Sequence, residues 1–220
     1  FKNILQYRYL GNWEERESNT NLETEILSQY LTDIKKYTPV LIKKAIEKFS
    51  KAVSNQSKTL YDVNKEVYSM LRYGVEVKPE VGANKKTVWL IDWKNPLKND
   101  FAIAEEVTIK GIYNKRPDIV LYINGIAIGV LELKRSTVSV SEGIRQNLDN
   151  QKHIFIKPFF STIQYVMAGN DIEGNRYGAI DPTNKKEKNF LKRKERRGER
   201  KENEKFLLGN EKTNRKKAKK

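Results

Sequence analysis

Two carboxylates and an ammonium stand in this chain where apolar strands would not hold them without a reason. Arg116-Pro117-Asp118-Ile119-Val120-Leu121-Tyr122 is followed by Asn124-Gly125 and then by Gly129-Val130-Leu131-Glu132-Leu133-Lys134. Residues 119–123 and 126–133 are apolar on both faces, the pattern of strands in the middle of a covered sheet. An unpaired buried charge is expensive, so Asp118, Glu132 and Lys134 at one end of such a hairpin point to a divalent cation. Carboxylate oxygens, with the Leu133 backbone carbonyl between them, suit a hard cation such as Mg²⁺, with Mn²⁺ able to stand in. The chemistry that fits is hydrolysis of a phosphodiester, in which the cation polarises a phosphoryl oxygen and acidifies a water. Glu132 and Lys134 are two apart and share a strand face, which places the ammonium where it favours hydroxide and offsets charge on the phosphate. Glu-x-Lys by itself is a common surface tripeptide, and the apolar hairpin is what lifts it above that background.

The turn poses a geometric problem. A two-residue loop at Asn124-Gly125 pairs Ile123 with Ile126, sets Asp118 opposite Leu131, and leaves it on the other face from Glu132 and Lys134. A three-residue loop with Gly125 left-handed in a bulge pairs Tyr122 with Ile126 and brings all three to one face. A bulge at Pro117-Asp118 has the same effect.

The elements around the hairpin are legible from periodicity. After it, Val140, Ile144 and Leu148 mark a helix over 140–152, with Ser139 or Ser141 at its start and Glu142, Arg145, Gln146 and Asp149 on the other face. Before it come three helices. The first follows Asn21 with Leu22, Ile26, Leu27, Tyr30, Leu31 and Ile34, the second starts at Thr38-Pro39 and runs to Val53, and the third spans 60–73 with Gly74 as its stop. Residues 88–93 and 101–109 read as strands with a loop between, and 162–168 and 177–180 as later strands. Trp13, Trp89 and Trp93 read as core or rim packing. His153, the only histidine, has no place in a mechanism that uses a cation and water.

Asp118, then Glu132-x-Lys134, then a helix carrying Gln146 resembles the PD-(D/E)xK nuclease core. The wider text resembles the N-terminal nuclease domain of the R (restriction) subunit of type I restriction-modification enzymes. The likeness rests on Tyr9-Leu10-Gly11-Asn12-Trp13, Asn64-Lys65-Glu66-Val67-Tyr68, 87–93, Asn99-Asp100-Phe101, 116–121, Glu132-Leu133-Lys134-Arg135, Ile144-Arg145-Gln146 and 166–170. It covers roughly residues 1–183. It implies an α/β fold with a restriction-endonuclease-like core, a mixed central sheet covered by helices, and an N-terminal helical segment over 20–74, the sheet core lying within 87–180. It also implies that Asp118 and Glu132 hold Mg²⁺, that Lys134 assists the attacking water, and that Gln146 acts near double-stranded DNA. Many members continue that helix as Gln-x-x-x-Tyr, and Asn150 stands in the Tyr place. Glu23 and Glu25 are noted because such cores sometimes take a further acid from the first helix, although a helix-start carboxylate is an ordinary surface feature. The implied partners are the specificity and modification (methyltransferase) subunits of a restriction complex.

Charge is unevenly spread. Residues 185–220 hold 17 Lys plus Arg against 6 Asp plus Glu, a net +11 of the chain's +15. This basic tail, 184–220, is expected to be disordered and able to bind nucleic acid by counterion release without reading sequence. Cysteine is absent, so thiolate metal sites and disulfides are excluded. The apolar runs are too short to span a bilayer, and the expected compartment is the cytoplasm. The chain carries no Gly-x-x-x-x-Gly-Lys-Ser/Thr, so ATP is expected to serve only a full-length protein, of which this chain, starting at Phe1, reads as a fragment or a naturally shortened version. Two other classes stay open at this point: a noncatalytic DNA-binding or assembly module, and a DNA repair or junction nuclease with the same core.

Overall fold

The computed structural model describes residues 1–180; the expected tail, 184–220, and the boundary at 183 lie outside the described residues. In chain order the elements are α1 (Lys2–Leu5), β1 (Arg8–Asn12), α2 (Thr24–Asp33), α3 (Pro39–Val53), α4 (Leu60–Tyr73), β2 (Val75–Val77), β3 (Lys86–Val88), β4 (Phe101–Glu105), β5 (Ile119–Ile123), β6 (Ile126–Leu133), α5 (Val140–Asn150), β7 (Tyr165–Asn170) and β8 (Gly174–Gly178). Six strands form one mixed sheet in the order β1-β4-β5-β6-β7-β8, parallel at β1–β4 and β6–β7 and antiparallel elsewhere. The expected mixed α/β fold is therefore the one observed.

The helices form where sequence periodicity puts them, for identifiable reasons. Pro39 occupies the first turn of α3, where its missing N–H is not needed. Thr59 caps α4 by accepting from the Asp62 N–H, and Gly74 at φ 80° ends it. Leu27, Tyr30, Leu31, Ala45, Phe49, Val63, Val67 and Leu71 share one buried cluster, into which Ile126 also inserts. The N-terminal helices thus clasp the turn end of the β5–β6 hairpin.

Three sequence expectations need correction. Residues 89–93 do not continue β3 as a strand. The Asp92 carboxylate accepts from the Lys94 and Asn95 N–H groups, and Asn99 serves both the Asp92 N–H and its carbonyl, so side chains take the backbone bonds that a ladder would have used. The strand expected over 101–109 stops at Glu105, because Glu106 turns into the left-handed region at φ 49°. The last two strands begin at Tyr165 and Gly174 rather than at 162 and 177.

The hairpin solves its register in a third way. Its loop has two residues, with Asn124 at φ 53° and Gly125 at φ 81°, the conformation that matches strand twist. Ile123 pairs with Ile126 and Tyr122 with Ala127, and then Leu121 pairs with Gly129. Ile128 is the extra residue of a bulge in β6, and its carbonyl accepts from the Gln164 N–H. Ile119 consequently faces Leu131, and the same register carried one step further sets Asp118 opposite Glu132.

The turn is held tightly. Asn124 is fully buried and donates to the Leu90 carbonyl and to Asn99 Oδ1. A Cβ on Gly125 would lie 2.6 Å from the Glu23 carbonyl oxygen and 2.9 Å from Ile26 Cβ. Gly125→Ala is therefore expected to cost about 2–4 kcal/mol, combining a left-handed alanine with overpacking. Urea unfolding would read this as a lower midpoint at unchanged slope, and a loss well under 1 kcal/mol would show that α2 yields freely.

Candidate active site

Sheet register and one helix assemble the site. β6 is interior to the sheet, with β5 on one side and β7 on the other, and Glu132 pairs across to Ala168. α5 lies over this part of the sheet, and Gly143 permits its close approach. A Cβ there would meet Ala168 Cβ at 2.9 Å, Lys134 Cε at 3.4 Å and Glu132 Cβ at 3.5 Å. Glu132 is left with 0% of its surface exposed.

The side chains singled out by sequence meet at this end of the hairpin. Asp118 Oδ2 accepts from the Leu133 N–H at 2.6 Å. Lys134 Nζ stands 3.8 Å from Glu132 Oε2, an ion pair too long for a hydrogen bond, and donates to Gln146 Oε1 at 2.7 Å. Both Glu132 oxygens lack a hydrogen-bond donor. Burial pushes the Glu132 carboxyl up to about 8, and the Asp118 charge adds to that push against the opposing pull of Lys134.

Oxygen donors and orphaned buried carboxylate atoms fit a hard divalent cation. Among the described residues no group of three or more His, Cys, Asp or Glu side chains is gathered for a metal. A cation here would rely on Asp118, Glu132, the Leu133 carbonyl and water, as Mg²⁺ commonly does.

Asn150 and Glu23 take structural positions. Asn150, in the position where the resemblance implies a tyrosine near DNA, is fully buried, and neither polar atom of its side chain has a hydrogen-bond partner. The inner face of α5 is half polar, with Asn147 and Asn150 buried while Leu148 is only partly so. Glu23 lies at the opposite end of the hairpin, its N–H bonded to the Gly125 carbonyl and its carboxylate to Arg16. No acid from the first helix is brought to the site by Glu23.

Two contributors escaped sequence reasoning. Glu106 donates its N–H to the Asp118 carbonyl at 2.9 Å, its charge gives a smaller upward push to Glu132, and its carboxylate is bound by Arg116. Arg116 also pairs with Glu14. Reading 101–109 as one strand hid Glu106, and only the packing distance reveals the role of Gly143.

The fold and site thus define a mixed α/β domain with two carboxylates, a lysine and a glutamine gathered at one end of a central hairpin. The family model described as type I restriction enzyme R protein N terminus matches residues 1–185, and the chain belongs to that family. It is 27% identical over 176 residues to the type I restriction enzyme MjaIXP endonuclease subunit of Methanocaldococcus jannaschii, covering 76% of this chain and 16% of that protein. The MjaVIIP endonuclease subunit of the same organism is 37% identical over 102 residues, 44% of this chain and 9% of that protein. A Staphylococcus aureus (strain COL) type I restriction enzyme endonuclease subunit, SauCOLORF180P, is 28% identical over 91 residues, 41% of this chain and 10% of that protein. The chain spans less than a fifth of the length of these relatives.

The Glu132 environment has a consequence for pH. The folded-state pKa of about 8 lies above the ordinary 4.5, so the metal-free folded state keeps this proton to higher pH than the unfolded chain. Stability from this group is complete below the ordinary value and is lost as pH rises towards about 8, by at most ~1.4 kcal/mol per pH unit. Glu132→Gln removes the titration. In EDTA it should melt above the wild type at pH 8.5 and converge with it near pH 5, and a gap of equal size at both pH values would contradict the raised pKa.

Proposed function

We propose that this domain is the Mg²⁺-dependent DNA-cleaving module of a type I restriction enzyme endonuclease subunit, acting on double-stranded DNA. The observation that carries the reading is Glu132: a wholly buried carboxylate with two unsatisfied oxygens, grouped with Asp118, Lys134 and Gln146. Asp118, Glu132 and the Leu133 carbonyl would hold Mg²⁺ or Mn²⁺, which when bound polarises the scissile phosphate and lowers the pKa of water.

The chain's own residues supply the rest. Lys134, held by Gln146 and flanked by Glu132, directs its ammonium at the reacting phosphate and offsets charge that grows there. Gln146 positions that ammonium, α5 excludes solvent from Glu132, and the Leu133 N–H orients the Asp118 carboxylate. The domain cuts with little sequence preference of its own. Sequence choice belongs to a specificity subunit assembled with a modification subunit, and ATP serves regions of the full-length protein outside this chain. A cytoplasmic setting follows from that role, and among the described residues no helix is long and apolar enough to cross a membrane.

The test uses a full-length subunit assembled with its partners. Asp118→Ala, Glu132→Ala and Lys134→Ala should each reduce DNA cleavage by about 10²-fold or more, and Gln146→Ala by roughly 10-fold or more, as for a supporting ligand. ATP hydrolysis should stay within about twofold, because these groups act only on the phosphodiester. Loss of ATP hydrolysis in all four variants would make the cluster structural. Intact Mn²⁺ binding by calorimetry in both carboxylate variants would remove the cation from this site.

A further inference from the structure

A basic cleft lies apart from Asp118, Glu132, Lys134 and Gln146, none of which lines it. Its volume is about 450 Å³, and its walls come from the α3–α4 turn, the 110–112 loop and the segment 153–161. Lys58, Lys110, Lys157 and His153 line it over an apolar floor that includes Phe155 and Val63, and no lining residue is acidic. Lys58 is paired with Glu66 at 2.7 Å, whereas neither Lys110 nor Lys157 has an acidic partner among the described residues. Lys115, which does not line the cleft, has its Nζ 4.1 Å from the centre of the Phe155 ring that does.

The walls are built into the fold. The Tyr113 N–H donates to the Ile154 carbonyl at 3.0 Å, joining the loop to the opposite wall. Gly111 sits so close that a Cβ there would be 2.3 Å from the Phe155 carbonyl oxygen. Lys58, Lys110 and Lys157 come from three separate segments of the chain and line one cleft that no acidic residue lines. Two lysines without acidic partners, beside a third in a cleft lined by no acid, suit the phosphates of a nucleic-acid backbone.

We propose that this cleft is a second DNA-backbone site, gripping phosphates of the duplex away from the bond to be cut, with Lys110 and Lys157 as its principal contacts. The assignment of DNA as ligand rests on the nuclease reading above, but the cleft can be tested without cleavage. Fluorescence anisotropy of a labelled 20-base-pair duplex, titrated with the full 220-residue chain in EDTA over a range of salt, compares wild type with the Lys110→Glu/Lys157→Glu pair. The expected result is a five- to twentyfold loss of affinity at low salt and a slope of log affinity against log salt shallower by roughly 1.8, about 0.9 per phosphate contact. If the charge reversal does not fold by circular dichroism, the Lys110→Ala/Lys157→Ala pair reads the same slope.

An unchanged slope in a folded variant overturns the proposal. So does binding of ATP that depends on both lysines while duplex binding does not, which would make the cleft a small-nucleotide site. Cleavage that survives loss of Asp118 and Glu132, together with a slope that depends on the lysines, would overturn the assignment of the cut to those carboxylates and leave the cleft standing.

Discussion

One extra residue, Ile128, decides which face of the sheet Glu132 occupies relative to Asp118. The Asn124-Gly125 turn is pinned by Asn99, Leu90 and α2, so the hairpin begins in a register that would place the two carboxylates on opposite faces. A strand has a side-chain period of two, and a one-residue shift exchanges every face. The bulge supplies that shift between the turn and the site. The tight end can therefore be buried against the N-terminal helices while the other end gathers its charges.

The helix above the sheet completes the arrangement. Gly143 brings α5 close enough to Ala168 and Glu132 to exclude solvent, and one turn on Gln146 reaches Lys134. Burial of Glu132 without hydrogen-bond donors favours its neutral form. On the proposed reading, a divalent cation would displace that proton and take the place of the missing donors. Lys134 offsets only part of the burial, because its ammonium is 3.8 Å away and already bonded to Gln146. The same packing keeps Lys134 directed and leaves both Glu132 oxygens without donors.

On the two proposals, the site and the basic cleft divide two tasks, cutting a DNA strand and gripping its backbone. Carboxylates that attract a cation repel the DNA backbone unless that cation is present. Lysines outside the site attract the backbone whether or not it is there, and do so at a salt-dependent cost. Separating them would allow binding and cutting to be controlled independently in this member of a restriction enzyme subunit family. His153 finds its place here, at the cleft wall rather than among the site residues.

What the sequence determined by itself was the set of local elements and the residue types of the site. Apolar spacing located α2, α3, α4 and α5 nearly to their ends, because each helix buries one stripe. Asp118, Glu132 and Lys134 stood out because charge is costly in strands that are apolar on both faces, and Gln146 stood out through the family resemblance. Short or irregular pieces were not legible: β1, β2 and the turn at Asp92 depend on partners distant in sequence, and Asn99 serves a turn seven residues away. The tertiary structure alone decided the bulge at Ile128, the burial of Asn150, the nearness of Glu106 and the importance of Gly143. Each is a matter of register or of contact distance between elements, and no local preference of the chain encodes either one.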